Sequence, residues 1–280
     1  MIFNSTQLKI MTFRFHNLLF IPMFLFVISC GSTNQFNAAQ LEAPISVDGN
    51  LSDWNTNQTL FDDRDHANYY SAYDDEFLYL FIDIRSGFKD TSVRRSGFTV
   101  YLSDDEETRK SVGISFPPGT FNLLREFPGA FSTFTRETDW MSKTENRELI
   151  ERLNEELFDR VMIIQRSNGG DPSYGFVDIS QLEVDGMEIA INTDSRTIGI
   201  EMKVPRDGSS IYGFRGDRVW LGFAVEPPEF RYQVSSDYSA ASSGQRDRYG
   251  NRQRTRSNPN ATMARNLGQM ERWHLIRFDD

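Results

Sequence analysis

The sequence predicts an all-β protein, an antiparallel β-sandwich of the jelly-roll or immunoglobulin-like kind. Short runs of alternating or continuous apolar residues recur from residue 45 to the end of the chain, as in half-buried and central strands. Polar, glycine-containing or proline-containing breaks separate these runs, and such breaks turn a chain. The 23 Phe and 10 Tyr residues suit a sheet core, because aromatic side chains favour strands.

The predicted strands follow one another along the chain. Residues 68–73 and 77–84 enclose a short polar break and predict a hairpin. Further strands are expected at residues 97–103, 112–116, 161–164, 187–191, 198–204, 218–225 and 273–278. In the last strand, alternation places Trp273 and Leu275 on one face and His274 and Ile276 on the other.

One inserted helix is predicted near residues 143–158. Leu149, Leu153 and Leu157 recur every four residues among charged residues, as in an amphipathic helix packed on a core. Ser142 and Glu145 match the capping box S-x-x-E, so the helix is expected to begin there.

The N-terminal residues resemble the signal sequence of a bacterial lipoprotein. Lys9 and Arg14 precede an apolar run at residues 18–29, which has the length of a signal-peptide core and is shorter than the roughly 20 residues of a membrane span. The run ends at Cys30, the only cysteine of the chain, in a stretch that is similar to a lipobox. The alternative is a secretory signal with an incidental cysteine.

The lipobox resemblance implies a domain order and a location. It implies a signal peptide at residues 1–29, lipid on Cys30, a polar tether at residues 30–44 and a single domain at residues 45–280. Gly31 is not the Asp that commonly signals inner-membrane retention, and no acidic cluster follows Cys30. We therefore expect an outer-membrane lipoprotein that faces the periplasm, with the cell surface as the alternative.

Charge excludes one class of partner and marks one segment. The chain has a formal net charge of −10, which argues against nucleic-acid binding. The segment at residues 235–266 is rich in Ser, Gly, Asn and Arg, and residues 246–265 hold six arginines against one acid, Asp247. Composition predicts a long disordered loop before the last strand. It is either a solvated insertion or a basic arm for an anionic partner such as lipid headgroups.

Two motifs indicate a family resemblance. Asp48-Gly49 and Trp54 lie in residues 45–54, and Asp74-Asp75 opens the second strand of the predicted hairpin. This arrangement resembles the opening of family 9 carbohydrate-binding modules and the wider DOMON-like group, in an uncharacterised Bacteroidota-type lipoprotein subgroup. The resemblance implies a carbohydrate-binding-module-like sandwich over most of residues 45–278. It also implies non-catalytic glycan binding or an accessory role in the cell envelope.

The same resemblance assigns structural roles but no ligand residue. Asp48-Gly49 is expected to form a tight turn, and Trp54 is expected to cap one end of the sandwich core. Leu78, Leu80 and Ile82 are expected to fill the interior. The tryptophan that forms half of an aromatic clamp in sugar-binding members is missing before residues 97–103.

Candidate ligand-binding residues come from the need for exposed aromatic faces beside polar groups. Trp140 lies in a polar stretch before the predicted helix, and Tyr232 and Tyr238 lie beside the basic segment. The alternative for each is ordinary packing or loop anchoring.

Catalysis is not predicted, and cofactors remain alternatives. The chain has no G-x-S-x-G motif, and outside the signal only His66 and His274 remain, so no nucleophile and base pair is evident. Met187, Met202 and His274 could hold haem in a DOMON-like domain. The acids at residues 62–65 could bind calcium, although a solvated turn explains them as well. A protein-binding envelope scaffold is a third class of function.

Overall fold

The computed structural model describes residues 35–55, 59–62, 67–84, 87–103, 108–166, 171–193, 197–208, 214–227 and 270–278. All described elements belong to one unit, Asn34–Asp280. The lipidation candidate Cys30 and the basic segment 235–266, with Tyr238, lie outside the described residues, as does Tyr232. No helix within the described ranges is long and apolar enough to cross a membrane.

The described chain forms two packed β-sheets, which confirms the predicted all-β sandwich. In chain order the strands are β1 (Gln35–Asn37), β2 (Ala39–Gln40), β3 (Thr59–Asp62), β4 (Ala67–Tyr73), β5 (Phe77–Ile84), β6 (Thr99–Ser103), β7 (Val112–Ser115), β8 (Arg160–Gln165), β9 (Ser173–Asp178), β10 (Glu188–Asn192), β11 (Ile198–Pro205), β12 (Arg218–Val225) and β13 (Met270–Arg277). The first sheet has the order β1-β13-β12-β6-β7-β8-β9. The second has the order β10-β11-β5-β4-β2, and β3 also pairs with β4. Neighbouring strands are antiparallel, except that β1 is parallel to β13 and β2 to β4.

The main core lies between the inner faces of the two sheets. Leu78, Leu80 and Ile82 of β5 are at most 1% exposed and belong to this core, as predicted. Phe223 of β12 faces them from the first sheet. The hairpin between β4 and β5 is also confirmed, because Asp74 Oδ1 accepts hydrogen bonds from the backbone amides of Glu76 and Phe77.

The predicted tight turn at Asp48-Gly49 is present, but Trp54 does not cap the end of the core. Gly49 has φ of 77°. Trp54 packs against Tyr70 and Phe81 on the outer face of the second sheet. Its indole Nε1 also donates to Glu201, which lies on the same outer face. This indole hydrogen bond turns the Trp54 ring towards the sheet face instead of the sandwich end.

Helices are more numerous than the single one predicted. They are α1 (Gly87–Ser96), α2 (Thr120–Leu123), α3 (Pro128–Arg136), α4 (Thr144–Glu155) and α5 (Ile179–Leu182). The predicted helix corresponds to α4, but its capping box is absent. Ser142 Oγ donates to Asp139 O at 2.6 Å, and Lys143 occupies the N-cap without a side-chain hydrogen bond. Ser142 belongs instead to a 3-10 turn, Trp140–Ser142, so it does not occupy the N-cap position that the motif assigned to it.

Helices α2, α3 and α4 form an insertion between β7 and β8 with its own small core. Gly97 and Gly119 fix its entry point, and both have positive φ, 86° and 83°. A Cβ on Gly119 would lie 2.1 Å from the backbone nitrogen of Gly97, so only glycine fits there. Asn122 Nδ2 then donates to the carbonyls of Ser96 and Pro118. The insertion is thereby held beside the outer face of the first sheet.

Candidate functional site

A cleft of about 780 Å³ opens on the outer face of the first sheet. Strand alternation supplies its floor, because residues two apart share a face. Tyr101 of β6 and Met162 and Ile164 of β8 lie in a cluster separate from the main core. Their chain neighbours, such as Val100 and Ile163, point into the core. Tyr174 of β9 extends the floor and is 37% exposed.

The helical insertion forms one wall of the cleft. Phe131, Thr135 and Arg136 of α3 line it, together with Arg125 from the turn before that helix. The Arg125 guanidinium lies 4.4 Å from the ring centroid of Phe131 and 4.0 Å from that of Tyr174. This cation–π contact on two rings joins the wall to the floor and fixes the positions of both aromatic side chains.

A hydrogen-bonded network of charged groups lies at one end of the cleft. The Tyr101 hydroxyl donates to Glu226 Oε2 at 2.5 Å. Lys110 Nζ donates to Glu226 Oε1 at 2.5 Å and to Glu271 Oε2 at 2.7 Å. Trp273 Nε1 donates to Glu271 Oε1 at 2.9 Å. Each carboxylate therefore has two donors, and its orientation is set before any ligand arrives.

The pKa shifts of Tyr101, Glu271 and Lys110 each favour the protonation state that their hydrogen bonds use. Burial, and then the charge of Glu226 and the hydrogen bond to it, raise the pKa of Tyr101 above its ordinary value, so the hydroxyl stays a donor. Burial alone would raise the pKa of Glu271, but the hydrogen bonds from Lys110 and Trp273 outweigh it and the pKa falls. Burial lowers the pKa of Lys110, and its hydrogen bonds to the two carboxylates more than restore it, so the pKa is raised overall.

Two strand glycines allow the aromatic rings to lie on the sheet. Gly113 and Gly222 are the cross-strand partners of Tyr101. A Cβ on Gly113 would lie 2.6 Å from the Tyr101 ring, and one on Gly222 would lie 2.8 Å from the Trp273 ring. The two rings are stacked, with centroids 6.2 Å apart and an interplanar angle of 24°. The absence of side chains at these glycines sets how closely the rings approach the backbone.

Trp140, the leading sequence-predicted ligand residue, is not part of this cleft. It is 1% exposed, its Nε1 donates to Thr133 Oγ1 at 2.9 Å, and its ring packs edge-on against Phe134. The prediction of an exposed ring is wrong because apolar residues of α3 and α4 converge on this side chain. Tyr232 and Tyr238 lie outside the described residues, so their roles stay predictions.

The residues that line the cleft were not predicted from the sequence. Tyr174 alternates with Phe176 within β9, and this weak strand pattern is a local signal for Tyr174. Arg125 and Phe131 lie on short helical segments with no distinctive spacing. Only the tertiary fold brings these two residues to Tyr174.

The haem and calcium alternatives rest on residues elsewhere. Met187 and Met202 belong to the core between the sheets. His274 is buried, with ring centroids of Tyr69 and Phe223 at 6.2 Å and 5.9 Å. The side chains at residues 62–66 lie outside the described part. Within the described ranges, no group of three or more His, Cys, Asp or Glu could hold a metal ion. Both cofactor hypotheses stay predictions.

Comparisons with known proteins give weak structural similarity. No protein-family model and no curated protein sequence matches the chain. Similar solved structures include a family 9 carbohydrate-binding module from Caldicellulosiruptor kristjanssonii in complex with cellotriose. It is 12% identical, with a TM-score of 0.30, over 70% of this chain and 78% of that one. The module in complex with glucose is 12% identical, with a TM-score of 0.32, over 87% and 94%. TM-scores this low give no basis for assigning the ligands of these modules to this chain.

Proposed function

We propose that the cleft on the first sheet binds a glycan and that the protein is a non-catalytic binding protein. The observation that carries this proposal is the placement of an exposed tyrosine, Tyr174, and a half-buried Phe131 beside preoriented charged groups. Sugar rings present apolar C–H faces that stack on aromatic side chains, and their hydroxyls need well-placed polar groups.

The polar lining suits sugar hydroxyls. Arg125, Arg136 and Arg166 supply planar sets of N–H donors, and Asp171 and Glu226 supply acceptors. A cleft of about 780 Å³ lies within the range of ordinary small-ligand sites, so it is large enough for a short oligosaccharide or the end of a longer chain.

The carboxylate pair in the cleft favours binding over hydrolysis. Glycoside hydrolysis uses one carboxyl group with a raised pKa as a general acid. Glu226 and Glu271 share the Lys110 ammonium, and the pKa of Glu271 is lowered. Glu271 is therefore arranged to accept hydrogen bonds, not to donate a proton, and Glu226 already accepts from Tyr101 and Lys110.

We also propose that lipid on Cys30 anchors the domain in the outer membrane, facing the periplasm. The supporting observation is the charged and then apolar N-terminal sequence that ends at the only cysteine. Two or more acyl chains are needed for stable anchoring, and a lipobox cysteine carries them. Cys30→Ala is expected to move the protein from the membrane to the soluble fraction. Unchanged fractionation would contradict the anchor.

A glycan array with three forms of the full chain tests the binding proposal. Wild type is compared with Tyr174→Ala and with Phe127→Ala, a matched control that is 40% exposed and does not line the cleft. We expect binding by wild type and Phe127→Ala and a loss of about tenfold or more for Tyr174→Ala, the size of one lost stacking contact. Absence of glycan binding by the wild type, or an equal loss of binding in both variants, would overturn the proposal.

A further inference from the structure

We infer that the cleft selects acidic glycans, those in which a sugar carries a carboxylate or a sulfate. This inference rests on the proposed glycan-binding function and adds the chemical class of the ligand. We draw it from the arginines of the cleft, because the stacking of a sugar on Tyr174 and Phe131 does not require them.

The cleft is richer in cations than the acidic chain around it. Its lining contains Arg125, Arg136 and Arg166 against Asp171, Glu226 and Glu271, and Lys110 bonds to both glutamates. The lining itself is balanced, three arginines against three carboxylates, and Lys110 adds one cation beside it, whereas the whole chain has a formal net charge of −10. A neutral sugar needs no such enrichment in cations.

Two of the three carboxylates of the cleft, Glu226 and Glu271, already have hydrogen-bond donors. Glu226 accepts from Tyr101 and Lys110, and Glu271 accepts from Lys110 and Trp273. Arg166 acts on the same end electrostatically, because its charge lowers the pKa values of Tyr101 and Glu271. The glutamates therefore take their direct hydrogen bonds from groups other than the arginines.

Two of the arginines have no ion pair within the described part of the chain. Arg160 shows how a structural arginine is held here, since it pairs with Glu126 at 2.7 Å and with Asp178 at 3.3 Å. Among the described residues, Arg136 and Arg166 have no such partner, and both are exposed where they line the cleft. A guanidinium binds a carboxylate or sulfate through two parallel hydrogen bonds, which makes these two residues the anion-binding groups.

Arg125 has a different part in the site. Its guanidinium lies on Phe131 and Tyr174, and its Nε lies 3.3 Å from Asn122 Oδ1. It therefore positions the aromatic rings, and it adds positive potential without being committed to the anion. Arg136 and Arg166 are the residues to substitute, because neither is required to hold the wall in place.

The experiment measures affinity for matched pairs of oligosaccharides by calorimetry with the full chain in detergent. Each pair has the same sugar with and without charge: trigalacturonate and its methyl ester, a hyaluronan tetrasaccharide and its methyl ester, and a κ-carrageenan tetrasaccharide and its desulfated form. The proteins are wild type, Arg136→Gln, Arg166→Gln and the control Arg218→Gln. Arg218 begins β12, at the end opposite the cleft residue Val225.

We expect at least one charged member to bind about tenfold or more tightly than its neutral partner, and added salt to weaken that binding. Arg136→Gln and Arg166→Gln are each expected to lose about tenfold, while Arg218→Gln keeps the wild-type affinity. Preference for the sulfated or the carboxylated probe identifies which anion the cleft takes.

The contrary outcomes separate this inference from the proposed function. Equal binding of charged and neutral partners would overturn the acidic preference and leave glycan binding in place. If Arg136→Gln and Arg166→Gln both keep the wild-type affinity for the charged oligosaccharides, the assignment of the anion to this cleft is overturned. Absence of binding to every probe and to the glycan array would overturn both proposals.

Discussion

The indole Nε1 of Trp54 donates a 2.8 Å hydrogen bond to Oε1 of Glu201, a residue of β11 with no exposed surface. The other carboxylate oxygen accepts from the backbone amides of Asp48 and Gly49, at 2.9 Å and 2.8 Å. One buried carboxylate thus binds the turn and the tryptophan of the N-terminal motif. This arrangement explains why an aspartate-glycine turn precedes the tryptophan, because both must reach the same acceptor.

Removal of Glu201 is expected to destabilise the fold. Glu201→Ala leaves three donors without their acceptor, so we expect the free energy of unfolding to fall by about 3 kcal/mol or more. Glu188→Ala in β10 is the control, because the Glu188 side chain is 44% exposed in its ion pair with Lys203, and a solvent-accessible pair is worth about 1 kcal/mol or less. Urea unfolding measures both. Equal, small losses would contradict the role of Glu201.

Glu201 should also make stability depend on pH. Burial raises its pKa above the ordinary 4.5, and the hydrogen bonds from Trp54, Gly49 and Asp48 only partly oppose this. Because the folded state holds the proton more tightly, this contribution is fully present below the unfolded pKa and falls as pH rises through the folded pKa. Unfolding free energies of wild type and Glu201→Gln, from about pH 4 to about pH 7, give the test. The unfolding free energy of wild type minus that of Glu201→Gln should fall as pH rises. An increase of this difference with pH would contradict the raised pKa of Glu201.

The strand glycines of the cleft should not tolerate a methyl group. In Gly113→Ala the new Cβ would lie 2.6 Å from the Tyr101 ring, so the ring must move and its hydrogen bond to Glu226 weakens. We expect a loss of about 1–3 kcal/mol, as for other overpacked sites. Gly175→Ala in β9 is the matched control, since its Cβ would meet no atom within 4 Å. Thermal unfolding of both variants distinguishes a steric effect from a general glycine effect.

Trp140 should behave as a core residue of the insertion. Trp140→Ala is expected to lower the free energy of unfolding by about 3–5 kcal/mol, as for other buried tryptophans. Thr133→Val, which removes the acceptor of the indole hydrogen bond and the hydroxyl's own exposed bonds to the carbonyls of Gly129 and Ala130, should cost about 1 kcal/mol. Chemical denaturation provides both values. A Trp140→Ala protein of normal stability that has lost glycan binding would instead restore Trp140 as a ligand residue.

The sequence predicted nine of the thirteen described strands because each of these carries its own pattern, whereas β1, β2, β3 and β9 were not predicted. The apolar runs of β5 and β12 and the alternation of β11 are visible without neighbours, and the structure has all three. Helices α1 and α3 were not predicted. Helix α1 has several polar and charged residues and only Phe88 and Val93 as large apolar ones, so it shows no clear amphipathic period.

The cleft could not be predicted because its parts are far apart in sequence. Lys110, Glu226 and Glu271 meet through strand pairings of β6, β12 and β13. No local pattern encodes such a meeting. Glu201 was missed for a related reason, because a glutamate that alternates with apolar residues resembles an exposed strand residue, and the covering Trp54 is 147 residues away.

A crystal structure of the full chain with the strongest glycan from the array tests directly whether the cleft binds the glycan. We predict a sugar ring in contact with Tyr174 and Phe131 and polar groups of the glycan bound by the arginines of the cleft. A glycan bound elsewhere, with the cleft between the helical insertion and the first sheet unoccupied by sugar, would contradict it.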